Sequence, residues 1–318
     1  MDDIAARFSF AAPEDGPLKR SLIRLIERLT GQPIFLSLYR QNRAAPVPGE
    51  PFFEAALRLL RLTLEGDLSP LNLVPQEGPV VFIANHPYGV LDGIAACVLA
   101  GRARPDFKIV INALLTGPEE MAPYALPIDF RETPEALQTN LRTRAEARRH
   151  LAEGGALLIF PGGTVSTRAS LFRKEPAGDP AWKPFAVQLA QRSGATVIPF
   201  YFGGQNNWAF HAASHVSTTL RLGLLYHEVR LRMGTSVEAK IGDPIAPEAL
   251  KTFGHAPAAR ADLWTWREGG AAAIWTAPFP PPRARYPGGI GGNGCDHPPE
   301  SRLLSLAAPP GCLSFAAH

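Results

Sequence analysis

Short runs of consecutive apolar residues alternate with longer stretches of helical periodicity through the middle of this chain. Residues 80–84 (VVFIA) have the length and β-branched content of a buried strand. Residues 107–111 (FKIVI), 156–160 (ALLIF) and 196–201 (TVIPFY) repeat that pattern. Between them, residues 92–100, 133–152 and 183–193 read as helices, the second of them polar and arginine-rich on a solvated face. Residues 51–65 (PFFEAALRLLRLTLE) read as a helix with proline in its first turn. Residues 220–232 supply a further helix, and 236–241 are compatible with a closing strand. Strands separated by helical stretches predict an α/β fold, a mostly parallel sheet covered on both faces by helices.

The ends of the chain follow other patterns. Residues 18–30 (LKRSLIRLIERLT) predict an amphipathic helix. Leu18, Leu22, Leu25, Ile26 and Leu29 share one face, and Lys19, Arg20, Arg24 and Arg28 fall on the other. Arg40 and Arg43 extend the basic character. Such a helix either lies on an anionic membrane surface or packs its stripe on the core, and the stretch alone leaves both open. Pro46, Pro48 and Pro51 mark a linker. From about residue 277 prolines and glycines dominate without periodicity, which predicts a disordered tail. Cys295, His297 and Cys312 fall there, and their spacing matches no zinc pattern. The expected organisation is therefore an N-terminal leader and helical extension over 1–48, a central domain over 49–268 and a tail over 269–318.

Composition narrows the classes. The 318 residues, 46% of them hydrophobic, suffice for one large α/β domain with extensions or for two smaller ones. A formal net charge of +3 is too small to suggest nucleic acid as a partner. Three cysteines form no disulfide framework, which favours a reducing compartment. There is no apolar window of about 18 residues, so no spanning helix is expected. The start, MDDIAARFSF, lacks the pattern of a signal peptide.

The chemistry gathers where the first strand ends. Asn85 and His86 follow residues 80–84, Pro87-Tyr88-Gly89 predicts a turn, and Asp92 opens the next helix. Open α/β sheets bind ligands at the carboxyl ends of their strands. On one unbroken helix, positions six apart would be rotated by about 240° and separated by roughly 9 Å of rise. A turn removes that obstacle and lets the carboxylate orient the imidazole. A second candidate is the loop FPGGTVSTR after residues 156–160, with Gly162, Gly163, Thr164, Ser166 and Arg168. Glycines admit a ligand to the backbone, and free N–H groups bind anions. Taken alone, such a loop is equally well a tight turn that needs glycine.

NHPYGVLDG, FPGGTVSTR and VIPFYFGG, in that order, resemble the glycerolipid (lysophosphatidate-type) acyltransferases, and more closely their hemolysin-like lysophospholipid branch. The resemblance runs from about residue 51 to 247 and includes Trp182-Lys183-Pro184 and Gly203-Gly204-Gln205-Asn206. It departs at two places: Gly162 stands where the family has Glu, and Val165 where it has the Arg linked to the acceptor phosphate. The spacing of five residues between His86 and Asp92 is that of the branch.

The resemblance implies transfer of an acyl group from a thioester, on coenzyme A or acyl carrier protein, to a lysolipid hydroxyl. His86 would be the general base and Asp92 its partner. Asn85, Gly162, Gly163, Thr164, Ser166 and Arg168 would bind substrate, with the acceptor preferred as the loop's ligand over the oxyanion. No metal and no cofactor beyond the donor is implied. The expected setting is the cytoplasmic face of a membrane, with membrane lipids as partners and peripheral attachment through the helix over 18–30. A thioester or ester hydrolase using the same pair, or a non-catalytic lipid-binding relative, are the alternatives.

Overall fold

The computed structural model describes residues 4, 8–11, 16–170 and 176–252. The expectations for the tail over 269–318, including Cys295, His297 and Cys312, lie outside the described residues, as does most of the leader.

The fold is a seven-stranded, mostly parallel sheet flanked by helices, with further helices N-terminal to it. In chain order the elements are α1 (Pro17–Thr30), α2 (Gln32–Ala44), α3 (Phe52–Leu59), β1 (Thr63–Glu65), β2 (Val80–Ala84), α4 (Val90–Ala103), β3 (Lys108–Asn112), β4 (Ala125–Ile128), α5 (Pro134–Ala152), β5 (Ala156–Ile159), α6 (Pro184–Ser193), β6 (Thr196–Phe202), α7 (Trp208–Val216), α8 (Thr218–Arg232), β7 (Ser236–Ile241) and α9 (Pro247–Thr252). The sheet order is β1-β7-β6-β2-β5-β3-β4, and only β7 against β6 runs antiparallel.

The central strands are apolar throughout because both faces are covered. Val80, Phe82 and Ala84 point into a core with α3 and α4, where Phe82 stacks on Phe200. Val81 and Ile83 point into the opposite core with α5 and α6. β2 lies at the centre, between β5 and β6, so the residues just after Ala84 emerge at the middle of the sheet's carboxyl edge.

The structure departs from the sequence expectation at several elements. The helix predicted over 51–65 stops at Leu59. Arg61 takes a positive φ of 52°, and Thr63–Glu65 instead pairs with β7. A partner more than 170 residues away overrides the helical periodicity. β4 lies at the sheet edge, where Pro127 costs the ladder least. α2 and α7 also form in stretches without an expected element.

α1 forms as its spacing predicts, with its stripe facing outward. Leu18, Leu22, Leu25 and Leu29 are 88%, 54%, 53% and 71% exposed. The inward face is Ile23, Glu27 and Thr30. Thr30 donates its hydroxyl to the Gly223 carbonyl of α8 at 2.8 Å, and Ile26 sits over Gly223, where a Cβ would lie 2.5 Å from its Cγ2. Burial raises the pKa of the Glu27 carboxyl, although it accepts from the Phe10 N–H (2.6 Å) and the Ser9 hydroxyl (2.8 Å). Among the described residues, the four leucines of the stripe are thus not packed on the core, and only Ile26 of that stripe is half-buried against α8.

The amino edge of the sheet is tied by Arg104, which is 4% exposed. Its guanidinium donates to the carbonyls of Pro75, Gly78 and Gly154 at 3.1, 2.9 and 2.7 Å and pairs with Asp106. Arg104→Ala leaves three carbonyls short of a donor and should destabilise the domain by about 3 kcal/mol. Urea unfolding of the two proteins measures it; a loss within experimental error would show that water replaces the guanidinium.

Candidate active site

The turn after β2 brings His86 and Asp92 together. Gly89 caps α4 with a positive φ of 93°, a conformation that suits glycine. A Cβ there would lie 2.9 Å from both Leu225 and Val165, so the turn is also pressed flat against its neighbours. This reversal places Asp92 in the first turn of α4, with its Oδ2 3.0 Å from His86 Nδ1. The carboxylate is fully buried, and the imidazole side chain is 17% exposed. Asp92 also accepts from the N–H groups of Gly93 (3.0 Å) and Tyr88 (3.4 Å). Because a carboxylate only accepts, Nδ1 carries the proton of the neutral ring, and Nε2 then presents a lone pair. Among the described residues nothing hydrogen-bonds Nε2. Phe160, the residue after β5, lies against the ring with centroids 4.2 Å apart.

Burial pushes the His86 pKa down, but the carboxylates of Asp92 and Asp179 push it up further, against a smaller opposing effect of Arg221. The net result is a pKa above the ordinary imidazole value.

The Gly-rich loop lies beside this pair. Ser166 N–H donates to the His86 carbonyl at 2.8 Å. Gly162 is packed against Pro180 and Asp179. Gly163 has a φ of 70°, and its N–H is already given to the Phe160 carbonyl, so it is no free donor for an anion. Thr164 is exposed, and its hydroxyl accepts from Arg221 at 2.8 Å. Val165 is buried with Ile23, Phe210 and Leu225, an apolar anchor in place of the arginine of the resembling enzymes. The Arg168 backbone sits further along, between His211 and His215: its main-chain N–H reaches His211 Nδ1 at 3.5 Å, and its carbonyl faces His215 Nε2 at 3.0 Å. Desolvation, then the nearby Arg168, holds the His211 pKa down to about 4, so that ring is neutral at neutral pH.

Asn85 is spoken for. Its amide donates to the Phe202 carbonyl and accepts from the Phe202 N–H, both at 2.8 Å, and so clamps the end of β2 to β6. Lys19 and Arg28 are exposed on α1, while Arg20 and Arg24 are half-buried.

Two residues of the site went unnoticed in the sequence. Asp179 touches the His86 backbone, and the only hint was its place three residues before Trp182. Arg221 reaches the loop from α8, donating to the Thr164 hydroxyl and to the Val165 carbonyl (2.7 Å) while lying over the Phe210 ring. Nothing near residue 221 announces it.

The chain matches the acyltransferase family over residues 39–253. It belongs to that family. Lyso-glycine lipid O-acyltransferases from Bacteroides thetaiotaomicron and Phocaeicola vulgatus are each 25% identical to it, over 185 and 209 residues. Those matches take in 56% and 62% of this acyltransferase-family chain, which spans 62% and 69% of the relatives. Among solved structures it is similar to the 1-acyl-sn-glycerophosphate acyltransferase PlsC of Thermotoga maritima, at 14% identity, a TM-score of 0.37 and 77% coverage of both chains, too distant to bear on the site.

Asn85→Ala should cost about 2 kcal/mol, since both polar groups of Phe202 lose their partner beside the site. Thermal or urea unfolding checks this; an unchanged stability would mean that the clamp is dispensable to the fold.

Proposed function

We propose that this chain transfers an acyl group from a thioester donor, on coenzyme A or acyl carrier protein, to the hydroxyl of a lysolipid at a membrane surface. The observation that carries the reading is the His86–Asp92 pair at the central strand end, with Nδ1 held at 3.0 Å and Nε2 left for a substrate. An alcohol is a poor nucleophile at neutral pH and needs a base within reach. His86 Nε2 takes the acceptor's hydroxyl proton as the oxygen attacks the thioester carbonyl. Asp92 holds the tautomer and stabilises the imidazolium that forms. Collapse of the tetrahedral intermediate expels the thiolate, which the imidazolium protonates. Donor and acceptor are both substrates, and the cycle needs no cofactor.

The family membership and the lysolipid O-acyltransferase relatives support this reaction class. The exposed Thr164 hydroxyl and the Arg221 guanidinium that donates to it offer a cationic, hydroxyl-bearing wall for an acceptor headgroup, with Arg168 further along the same loop, while the buried Ser166 hydroxyl is given to Asp179. With Gly162 and Val165 in place of Glu and Arg, that wall differs from the one that the resemblance to phosphate-acceptor enzymes implies.

No helix among the described residues is long and apolar enough to cross a membrane. The exposed leucines of α1, with Lys19 and Arg28 also exposed on that helix, suit peripheral attachment to an anionic, cytoplasmic-side surface.

Four experiments test the proposal. Purified protein with a thioester donor and a mixed lysolipid pool should form acylated lipid, with thiol released only when acceptor is present. Acceptor-independent release would favour a hydrolase, and lipid binding without turnover a non-catalytic relative. His86→Ala should lower transfer by at least about 100-fold with the fold intact. Because the base works only when neutral and its pKa is raised, kcat/KM should climb with pH along a limb centred above the ordinary imidazole value. A flat profile, or full activity in His86→Ala, would sink the mechanism. Separately, replacing Leu18, Leu22, Leu25 and Leu29 by serine should weaken sedimentation with anionic vesicles at least about tenfold while leaving stability unchanged. Undiminished binding would remove α1 as the anchor.

A further inference from the structure

Asp179 draws three segments onto one carboxylate. Its Oδ1 accepts from the His86 backbone N–H at 3.1 Å and from the Ser166 hydroxyl. Its Oδ2 accepts from the Trp182 indole N–H at 3.0 Å. Ser166 in turn gives its own N–H to the His86 carbonyl. Both backbone polar groups of His86 are thus held, one by Asp179 directly and the other by the residue that Asp179 holds. Burial raises the Asp179 pKa, and the hydrogen bonds from Ser166, Trp182 and the His86 backbone oppose that shift; three converging donors suit an ionised acceptor, since a protonated carboxyl would have to offer its own O–H to one of them.

Among the described residues, three charged groups bear on the His86 ring. Asp92 comes from α4, Asp179 from the segment leading into α6, and Arg221, of opposite sign, from α8. Among the described residues, the β5 side contributes the neutral Phe160 ring. Proton abstraction by His86 creates a cation in this setting, so a second nearby carboxylate matters most when the ring is charged.

We propose that Asp179 is a positioning residue for the acyl-transfer reaction, one that fixes the His86 backbone against the Gly-rich loop and supplies a second negative charge that stabilises the imidazolium. The inference rests on the reaction proposed above. Asp92 orients the ring from one side; Asp179 sets where the ring's backbone stands and adds its field through space. Trp182 then has a purpose beyond packing, because its indole N–H keeps the second oxygen of Asp179 from turning away.

Asp179→Asn keeps the shape and one acceptor oxygen but removes the charge, and its amide N–H₂ opposes the Trp182 donor. With wild type and His86→Ala in the same assay to establish the reaction, Asp179→Asn should lower kcat about tenfold or more. KM for donor and acceptor should stay nearly constant, and the acid limb of the pH profile should move to lower pH. Trp182→Phe, which retains the aromatic packing, should lower kcat several-fold at unchanged KM. Thermal midpoints report folding of both variants. A His86 titration by NMR on isotope-labelled wild type and Asp179→Asn reads the charge effect without turnover, so inactivity of the wild type would count against the reaction and not against this coupling. The expected result is a lower His86 pKa in Asp179→Asn. Should Asp179→Asn not fold, Trp182→Phe decides. An unmoved His86 pKa or pH limb in Asp179→Asn, or an unchanged kcat in Trp182→Phe, overturns the proposal.

Discussion

The hydrogen bond between His86 Nδ1 and the buried Asp92 carboxylate sets the terms for everything around it. A carboxylate with no exposed surface is expensive to keep unless donors surround it. Here the donors are the imidazole and the N–H groups of Gly93 and Tyr88, all supplied by the same short stretch that carries the acid. That economy requires the chain to reverse between strand and helix within a few residues. Gly89 permits it through its positive φ and through the absence of a Cβ that would strike Val165 and Leu225.

From this bond the architecture extends in two directions. Toward β6, Asn85 closes the strand end on Phe202, and Asn206 donates to the Tyr88 carbonyl at 3.2 Å, so the turn is braced from the neighbouring strand's exit. Toward the loop after β5, Ser166 and Asp179 take hold of the His86 backbone. His86 is therefore held through its ring, its backbone N–H and its backbone carbonyl, by groups from three segments. Held this way, a ring keeps one geometry without spending substrate binding energy to find it.

Val165 joins the site to the N-terminal helices. It shares a small apolar cluster with Ile23 of α1, Phe210 of α7 and Leu225 of α8. The helix that shows its leucines to solvent and the loop beside His86 thus rest on one piece of core. An arginine at position 165 would have to be desolvated in that cluster; the guanidinium at the loop comes instead from Arg221 on α8.

Much of this was legible in the sequence. The apolar runs of the four central strands, the helices between them and the pairing of His86 with Asp92 across a turn are local facts, written in periodicity and in the Pro-Tyr-Gly signal. Strand β1 was not, because Thr63–Glu65 continues a helical pattern and becomes a strand only when β7 offers it hydrogen bonds. The outward stripe of α1 was legible as a stripe, but which way it faced depended on Ile26 finding Gly223 and Thr30 finding its carbonyl. Asp179 and Arg221 were invisible for the same reason. Sequence by itself determined which residues share a face, where the chain turns and which acid the histidine meets, because those outcomes are set within one or two turns of backbone. Which distant carboxylate holds the His86 backbone, and which distant guanidinium stands over the loop, was decided by tertiary packing, since contacts between segments far apart in the chain leave no periodicity in either of them.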